Sequence, residues 1–303
     1  MRKFIIDTDT AADDAVALLL ATSKNDIEIL GVTTVCGNVP LELATKNALA
    51  VLEVGGKNIP VYKGAKKPLK RELFTAEYVH GLDGLGDSGL SHSKRKPEET
   101  DAVDFILNAV KKYPNEIEII ALGPATNLAN AILRDSDTMK KVKRIWSMGT
   151  SGQGDGNVTK VAEFNVYVDA ESYDIMLKSG IPITIIGLDM CLGESSLTNA
   201  EREKLKNNSK KGLFVYKCTR KIVEHNIKTF NKNVADIPDA VAVACALYGE
   251  TVTAKKDFYC LCQTVNDETY GGVTLLDNKA PNATLVTKFN AELFKKILFE
   301  SLI

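Results

Sequence analysis

The stretch FIIDTDTAADDAVALLL, residues 4–20, joins a short apolar run to four aspartates and then to a run of strong helix formers. The run FII predicts a buried strand, and AVALLL predicts a helix that begins at the last aspartates. Like charges this close raise one another's pKa unless a cation or hydrogen-bond donors neutralise them. The stretch therefore predicts a strand–loop–helix unit that places an oxygen-rich ligand site at a strand end. The aspartates are Asp7, Asp9, Asp13 and Asp14.

Short apolar runs alternate with amphipathic segments along the first two thirds of the chain. The runs FII, IEII and ITII are almost wholly apolar, as expected of strands covered on both faces. Strands that alternate with helices predict right-handed crossovers and a mostly parallel sheet. We expect an α/β fold: a single domain over residues 1–303, with a mostly parallel central sheet flanked by helices. Its ligand site is expected at the carboxyl-terminal ends of the strands.

Two regions depart from this alternation. Residues from about 64 to 97 are rich in Gly, Lys and Ser and lack periodicity, which predicts a functional or mobile loop insertion. Residues from about 199 to 248 are predicted to be helical. Short strands around FYCLCQTV and GGVTLLD and a final helix, NAELFKKILFESLI, complete the expected fold.

Composition and charge exclude several classes of function. The 303 residues carry a net charge of −1, so there is no electrostatic case for binding nucleic acid or an anionic membrane. None of the six cysteines forms a CxxC pair, which favours reduced core thiols over a disulfide framework or a zinc site. The start MRKFIID is too short for a signal peptide, and no apolar run approaches the roughly 20 residues of a membrane span. We therefore expect a cytoplasmic protein.

The four aspartates permit more than one interpretation. Any one of them could simply cap the helix, where the positive end of the helix dipole favours a carboxylate. All four together favour a hard divalent cation, and Ca²⁺ or Mg²⁺ fits better than zinc because no Cys or His is nearby. An EF-hand is excluded, because counting from Asp7 puts Ala12 where Gly is needed and Leu18 where Glu is needed.

Other predicted strand ends carry polar groups as well. Strand 2 ends near Asn38, which could instead cap a helix, and the Gly-Pro break after Leu122 would expose a backbone carbonyl. Glu163 and Asn165 have strand spacing, so on a buried strand they would point the same way. Two further candidates have simpler explanations: Asn157 could be a turn residue and Asp239 a helix-terminal charge.

Taken together, these segments resemble the nucleoside hydrolases, the calcium-dependent N-ribohydrolases of the inosine-uridine preferring type. The resemblance covers nearly the whole chain. The aspartate cluster alone is moderately specific, but its combination with the Ala-Glu-Phe-Asn segment in this order is strong. The motifs are DTDTAADDAVA, TTVCGN, HGLDGLG, LGPATNLA, GNVTKVAEFNVYVDAE, PITIIGLD, PDAVAVA, GGVTLLD and PNATLVTKFNAELF.

The resemblance implies a role for each matching residue. It implies hydrolysis of the N-glycosidic bond of ribonucleosides by a Ca²⁺-bound water, with Asp9 as general base, in an enzyme that forms homodimers or homotetramers. The Ca²⁺ ligands would be Asp9, Asp14, the backbone carbonyl of Leu122, and Asp239. The ribose would be held by Asp13, Asn38, Asn157, Glu163 and Asn165, of which Asp13 and Asn165 would act with Asp9 in catalysis.

Two departures from the family pattern bear on the site. The family usually has Pro-Gly between its aspartate pairs, whereas this chain has Thr10-Ala11-Ala12, and we expect a turn that tolerates alanine. Many members have His-Asp-Pro where this chain has Pro238-Asp239-Ala240, so the usual leaving-group acid is missing. Replacements to consider are His80 in the HGLDGLG loop, His225 and Tyr216; His92 is expected to be exposed.

Two other functions remain open at this point. The run Asp7-Thr8-Asp9-Thr10 also matches the haloacid-dehalogenase-like phosphatases, whose first Asp accepts the phosphoryl group, although the downstream acidic motif of that class is poorly matched. A non-catalytic, calcium-dependent ribonucleoside-binding protein is the third possibility. The favoured interpretation is the hydrolase, with a small-molecule ribonucleoside as its partner. The sequence does not indicate a preference for purines or pyrimidines.

Overall fold

The strands form one large sheet and one two-stranded ribbon. The computed structural model describes residues 1–90 and 93–303, so His92 lies outside the described residues. The strands are β1 Arg2–Thr8, β2 Ile27–Thr34, β3 Val61–Lys63, β4 Ile117–Ala121, β5 Arg144–Met148, β6 Ile183–Ile186, β7 Leu197–Thr198, β8 Val234–Ala235, β9 Val252–Cys262, β10 Val273–Leu276 and β11 Ala283–Phe289. The α-helices are α1 Ala12–Ser23, α2 Leu41–Val54, α3 Glu77–His80, α4 Ala102–Lys112, α5 Thr126–Arg134, α6 Ser136–Met139, α7 Phe164–Val168, α8 Ala170–Leu177, α9 Leu188–Cys191, α10 Asn199–Asn208, α11 Lys210–Cys218, α12 Arg220–Phe230, α13 Pro238–Leu247 and α14 Ala291–Ser301.

The nine-stranded sheet has the order β10-β9-β11-β6-β5-β4-β1-β2-β3. Seven neighbouring strands, from β3 to β11, are mutually parallel, and β9 and β10 extend the sheet by antiparallel pairing. The expected α/β fold with a mostly parallel central sheet is confirmed. The ribbon of β7 and β8 lies outside this sheet.

Helices cover both faces of the central strands. Every residue of β4 and β6 is buried, as the apolar runs predict. One core packs α1, α2, α13 and α14 against the sheet, and the other packs α4, α5 and α8 on the opposite face. Helix α1 is apolar on all sides after its first turn and is buried from Ala12 to Thr22. Burying each of its leucines contributes about 2 kcal/mol, which holds the start of the helix against the sheet.

The strand order reverses between β1 and β4. From β1 the chain proceeds outward through β2 and β3 on one side, and it returns to build β4, β5 and β6 on the other. In such sheets a crevice opens beyond the carboxyl ends of the two central strands. Asp9 follows β1 and Leu122 follows β4, so the fold brings both to this crevice.

The structure differs from the sequence-based expectations in three regions. The helical segment after residue 199 is three helices, with breaks at Ser209 and Thr219, before α13 begins. Strands β3 and β11 were not expected, and β11 joins the parallel sheet to β9. The loop at 64–97 contains the short helix α3. All six cysteines are buried and free, as expected, and no helix among the described residues is both long and apolar enough to span a membrane.

Candidate functional site

The loop between β1 and α1 fixes Asp14 through its own backbone. The Asp14 carboxylate accepts hydrogen bonds from the Ala11 backbone N–H at 2.9 Å and from the Thr8 hydroxyl at 2.5 Å. It thereby satisfies an unpaired donor at the start of α1, as the capping interpretation expects. Ala11 has φ −115° and ψ −156°, which is extended backbone that any residue adopts. The expectation that alanine suits this turn is confirmed.

Asp9 is fully buried at the end of β1. Its Oδ2 accepts a hydrogen bond from the Asn38 backbone N–H at 2.5 Å, whereas its Oδ1 is buried without a hydrogen-bond partner. Gly37 permits this approach, since a Cβ at Gly37 would overlap the Asp9 carboxylate. Asn38 caps no helix, because Pro40 holds the N-cap position of α2, and its Nδ2 lies 3.4 Å from Asp14 Oδ2. The helix-cap alternative for Asn38 is wrong.

Asp239 joins the aspartates from the far side of the site. Helix α13 begins with Pro238, whose missing N–H suits the first helical position, and this geometry places Asp239 in the first turn. Asp239 is buried, and one carboxylate oxygen from each of Asp13, Asp14 and Asp239 lies within 4.8 Å of the others. The aspartates that the structure groups in this way are Asp13, Asp14 and Asp239, whereas the resemblance assigns Asp13 to the ribose and Asp9 to the metal.

Burial and mutual repulsion raise the pKa values of these carboxyl groups. Burial raises the pKa of Asp13 to about 6, and burial together with the charge of Asp13 raises that of Asp14 to about 6. The pKa values of Asp9 and Asp239 are also raised by burial and by the neighbouring aspartates. Among the described residues, the one basic side chain within 4 Å of these groups is His80. The chain thus concentrates negative charge here without supplying a cation.

Glu163 and Asn165 lie at a helix start instead of on the predicted strand. Glu163 is the N-cap of α7, and its carboxylate accepts hydrogen bonds from the backbone N–H groups of Asn165 at 3.0 Å and Val166 at 3.3 Å. The strand assignment is wrong, but the predicted burial is correct, since Glu163 is 2% and Asn165 5% exposed. Burial raises the pKa of Glu163 to about 7.

Asn165 connects the ends of two neighbouring strands. Its Nδ2 donates to the Leu122 carbonyl at 2.6 Å and lies 3.3 Å from the Met148 carbonyl. The Leu122 carbonyl is therefore paired with Asn165, another candidate site residue. Asn157 is exposed, and its Oδ1 accepts a hydrogen bond from the Phe164 backbone N–H at 2.9 Å. Asn157 thus holds the start of α7 from outside.

The three candidate replacements for the missing histidine occupy different places. His80 is buried, and its Nδ1 lies 3.6 Å from Asp13 Oδ1, which is too long for a hydrogen bond. Burial lowers the pKa of His80 to about 4. His225 is partly buried, and its ring makes an edge contact with Tyr78 at a centroid separation of 5.6 Å. The Tyr216 ring packs against Arg202 and Lys206 of α10, so it is held on that helix.

Tyr78 lies next to two candidate residues, His80 and His225, and was not identified from the sequence. It is 58% exposed in α3, two residues before His80, and it is in contact with both His225 and Phe74. An isolated tyrosine in a loop without periodicity gives no signal in one sequence. Its only pointer is its position beside the HGLDGLG motif.

Asp7 is bound by hydrogen bonds at one carboxylate oxygen, and its other oxygen, Oδ2, is buried without a partner. It is fully buried, and its Oδ1 accepts hydrogen bonds from the Thr33 hydroxyl at 2.5 Å and from Asn127 Nδ2 at 2.7 Å. The same Asn127 amide also donates to the Thr34 carbonyl at 3.0 Å. Asp7 therefore ties the ends of β1, β2 and α5 together.

The donor set fits a hard divalent metal ion. Asp9 Oδ1 and Asp13 Oδ1 are buried without hydrogen-bond partners, so the fold leaves anionic oxygens unsatisfied at this point. Buried charges without partners are costly, and an ion of opposite charge removes that cost. The nearby groups are carboxylate and carbonyl oxygens, which Ca²⁺ and Mg²⁺ prefer. The buried aspartate cluster could therefore bind a divalent cation.

Comparisons with known sequences match this chain over nearly its whole length. A sequence profile described as "Inosine-uridine preferring nucleoside hydrolase" matches residues 4–296. The pyrimidine-specific ribonucleoside hydrolase RihA of Shewanella oneidensis is 33% identical over 309 aligned positions, which cover 98% of this chain and 95% of RihA. Uridine nucleosidase 1 of Arabidopsis thaliana is 45% identical over 190 positions, which span 62% of this chain and only 56% of the plant protein.

Solved structures give the same picture. The plant nucleoside hydrolase PpNRh1 superposes with a TM-score of 0.94 at 31% identity, covering 99% of this chain and 98% of that one. A purine-preferring ribonucleoside hydrolase from Gardnerella vaginalis superposes with a TM-score of 0.93 at 28% identity, with the same coverage of 99% and 98%. With a profile match over residues 4–296 and a relative 33% identical over 98% of the chain, this protein belongs to the inosine-uridine preferring nucleoside hydrolases, enzymes that hydrolyse the N-glycosidic bond of ribonucleosides.

Proposed function

We propose that this chain hydrolyses ribonucleosides to ribose and free base in a reaction that depends on Ca²⁺. The ion would be held by Asp9, Asp14, the Leu122 carbonyl and Asp239. The observation that carries the proposal is the set of buried carboxylates at the switch point of the sheet, with two of their oxygens unpaired and no Lys or Arg within 4 Å among the described residues. When bound there, Ca²⁺ would orient a water molecule and lower its pKa.

Asp9 is suited to accept the proton of the attacking water. One of its oxygens is fixed by the Asn38 N–H, while the other has no partner within the protein. A base held at one oxygen and open at the other keeps its orientation while it takes up a proton. General-base catalysis of this kind contributes about 10²–10⁴ in rate.

The ribose would be held by Asp13, Asn38, Glu163 and Asn165. The resemblance adds Asn157 to this set, but Asn157 is exposed and holds the start of α7 instead. Cleavage of an N-glycosidic bond develops positive charge on the sugar, and fixed carboxylates stabilise that charge. Asn165 and Glu163 are fixed in turn by bonds to backbone groups, so they are already oriented before the sugar binds. Polar groups buried for sugar hydroxyls discriminate against sugars that lack them, so ribosides are expected to react faster than 2′-deoxyribosides.

The departing base would meet His80 and, further out, His225. His80 is the closer of the two, with Nδ1 3.6 Å from Asp13 Oδ1, and its imidazole is neutral at pH 7 because burial lowers its pKa. His225 contacts Tyr78 by an edge contact of the two rings. We propose His80 as the group that contacts the leaving base, in place of the histidine that Pro238 replaces.

Ribose release from inosine, uridine, cytidine and p-nitrophenyl riboside tests the proposal, each with Ca²⁺ and with excess chelator. The panel includes purines and pyrimidines because the named relatives divide between them. Chelator-sensitive cleavage of a nucleoside supports the hydrolase. If p-nitrophenyl riboside alone reacts, the ribosyl chemistry is present but the natural leaving group lies outside the panel.

Two outcomes would overturn the proposal. Tight Ca²⁺-dependent nucleoside binding with no cleavage of any substrate would indicate a non-catalytic binding protein. Release of phosphate from p-nitrophenyl phosphate with Mg²⁺, lost in Asp7→Asn, would indicate the phosphatase alternative.

We further propose a cytoplasmic location and a homodimeric or homotetrameric assembly. The six free, buried thiols support the first, since a reducing compartment keeps such thiols unpaired. The second is carried over from the resemblance to the family. Fractionation of the native cell and light scattering of the purified protein test the two separately.

A further inference from the structure

Asn47 joins two loops that meet at the site. It lies in α2 and is 3% exposed. Its Nδ2 donates to the Thr10 carbonyl at 3.1 Å and to the Asp83 carbonyl at 3.0 Å. Thr10 belongs to the loop that carries the aspartates, and Asp83 belongs to the loop that follows α3. A single amide on a buried helix thus holds both.

On the aspartate side, Asn47 fixes the segment between the two carboxylate pairs. Thr10 directly follows Asp9, and its hydroxyl lies 3.0 Å from the Thr8 hydroxyl, which in turn donates to Asp14. Displacement of the Thr10 carbonyl therefore changes the backbone that orients Asp9. The Asn47 bond restrains that carbonyl from the α2 side.

Asp83, the second partner of Asn47, belongs to a loop whose backbone is hydrogen-bonded to that of His80. The Gly86 N–H donates to the His80 carbonyl at 2.7 Å. Asp83 Oδ1 accepts hydrogen bonds from the backbone N–H groups of Leu85 at 2.7 Å and Asp87 at 2.8 Å. Residues 80–87 thus form a bonded unit, and holding Asp83 also holds His80.

Gly84 shows how closely this loop approaches α2. It has φ +69°, a left-handed conformation that favours glycine. A Cβ at Gly84 would lie 3.0 Å from Asn47 Nδ2 and 2.8 Å from Val39 Cγ1. Any side chain there would push the loop away from the Asn47 amide.

We infer that Asn47 is a positioning residue, which sets the His80 loop against the aspartate loop. The inference rests on the proposed hydrolase function. An asparagine suits the task because its amide has two N–H donors in a fixed plane, one for each carbonyl. Asn47→Asp keeps the shape, removes both donors and turns a carboxylate toward two carbonyl oxygens.

Steady-state kinetics of Asn47→Asp form the first test. We expect kcat to fall by about 10²-fold, because small displacements of catalytic groups have effects of that size, while KM changes by less than about threefold. A double-mutant cycle with His80→Ala separates positioning from a general loss of structure. If Asn47 acts through His80, Asn47→Asp costs much less in the His80→Ala background. An equal loss in both backgrounds would overturn the inference.

Hydrogen–deuterium exchange gives a readout that does not depend on turnover. We expect amides of residues 80–87 to exchange about tenfold faster in Asn47→Asp, with β4 unchanged, because the loop loses a hydrogen bond to α2. Asn282→Asp is the matched control, since Asn282 Nδ2 donates to the Cys260 carbonyl at 3.0 Å, near the antiparallel edge of the sheet. Unchanged exchange in residues 80–87 would contradict the inference.

Gly84→Ala perturbs the same contact from the loop side and leaves α2 intact. Gly84→Ala replaces Asn47→Asp in these experiments if Asn47→Asp does not fold. It should show the same loss of kcat and the same faster exchange. If it reproduces neither, Asn47 does not hold the loop. If the unaltered protein cleaves no riboside, the proposed function fails, and the exchange experiment still decides whether Asn47 couples the loops.

Discussion

The two ends of the central sheet treat buried carboxylates in opposite ways. At the amino-terminal end, Glu118 of β4 is 3% exposed and is hydrogen-bonded by Arg2 at 2.7 and 2.9 Å and by Trp146 at 2.9 Å, with Lys143 at 3.3 Å. Burial raises its pKa, but these donors outweigh burial and hold the pKa below its ordinary value. At the carboxyl-terminal end, the aspartates are equally buried and their pKa values rise.

The difference separates a structural charge from a functional one. Where a buried carboxylate only connects strands, the chain provides its own cations from neighbouring strands. At the proposed metal site, no Lys or Arg among the described residues lies within 4 Å of the aspartates, and the folded protein tolerates the repulsion between them. Burial alone would raise the pKa of the carboxylates at both ends of the sheet. The hydrogen-bond partners of each oxygen distinguish the two sites.

The largest expected effect is a difference in catalytic activity between variants at the two ends of the sheet. Asp9→Asn should lower kcat by about 10²–10⁴ while nucleoside binding persists, because the variant retains the shape but loses the general base. Glu118→Gln should leave kcat within about twofold of the parent, since Glu118 lies at the other end of β4. Initial rates with a saturating nucleoside measure both. Equal turnover by Asp9→Asn and the parent would remove Asp9 as the base.

The pH dependence of stability provides a second test, through the buried carboxyl group of Glu163. Its pKa is raised from 4.5 to about 7 on folding, so the folded state binds the proton more tightly. The contribution of Glu163 to the unfolding free energy is complete below about pH 4. It falls by about 2 to 3 kcal/mol as the pH rises from there through 7. Denaturant melts in chelator at pH 4.5 and 8 measure the change.

Glu163→Gln is the control for that series. It retains one oxygen for one of the two α7 N–H groups, which donate to Oε1 and Oε2 separately in the parent, but it cannot titrate. The variant should lose about 2 kcal/mol of the pH dependence seen in the parent. The same slope in both proteins would show that Glu163 does not carry the effect.

Neutralising one carboxylate at each end should change stability in opposite directions. Without metal, Asp239→Asn should raise the unfolding free energy by about 1 to 2 kcal/mol at pH 7.5, because it relieves repulsion with its neighbours. Glu118→Gln should lower it by about 1 to 2 kcal/mol, since it weakens charge-assisted hydrogen bonds to a partly exposed arginine. Thermal melts in chelator test both signs. Destabilisation by both substitutions would contradict the proposed distinction.

The smallest effect concerns the turn that connects the aspartate pairs. Ala11 adopts φ −115°, so the glycine common in the family is not needed here. Ala11→Gly should lower the unfolding free energy by less than about 1 kcal/mol, through greater freedom of the unfolded chain, and should leave kcat unchanged. A stabilising effect would indicate strain at Ala11 that its backbone angles do not show.

The sequence predicted most of the sheet because the buried strands are short, apolar and set between turn signals. The resemblance implied that Asp9, Asp14 and Asp239 hold the metal, and the structure groups Asp14 and Asp239 with Asp13. The sequence-based prediction failed at Glu163 and Asn165. The segment AEFNVYVDA has a β-branched and aromatic pattern, yet the Asn157 bond to Phe164 and the Glu163 cap make it a one-turn helix. Such tertiary bonds leave no mark on local periodicity.

Strands β3 and β11 were missed for a related reason. β3 has three residues and is defined by its pairing with β2, and β11 pairs with β6 through only two residues. A three-residue pattern such as β3 is not distinct from a loop in a single sequence. β11 spans seven residues, and it joins the sheet mainly through long-range pairing with β9, which local sequence does not show. The contact between Tyr216 and Arg202 could not be predicted from the sequence either, because this cation–π contact joins two separate helices.

Both outer strands of the nine-stranded sheet are short. β3 spans three residues and β10 spans four, whereas β9, just inside β10, spans eleven. An unpaired strand edge can recruit a strand from another chain, and a brief edge offers few backbone groups for such recruitment. This large sheet is thereby protected against open-ended aggregation at both margins. Lengthening β3 or β10 with apolar residues should reduce this protection and favour pairing between chains.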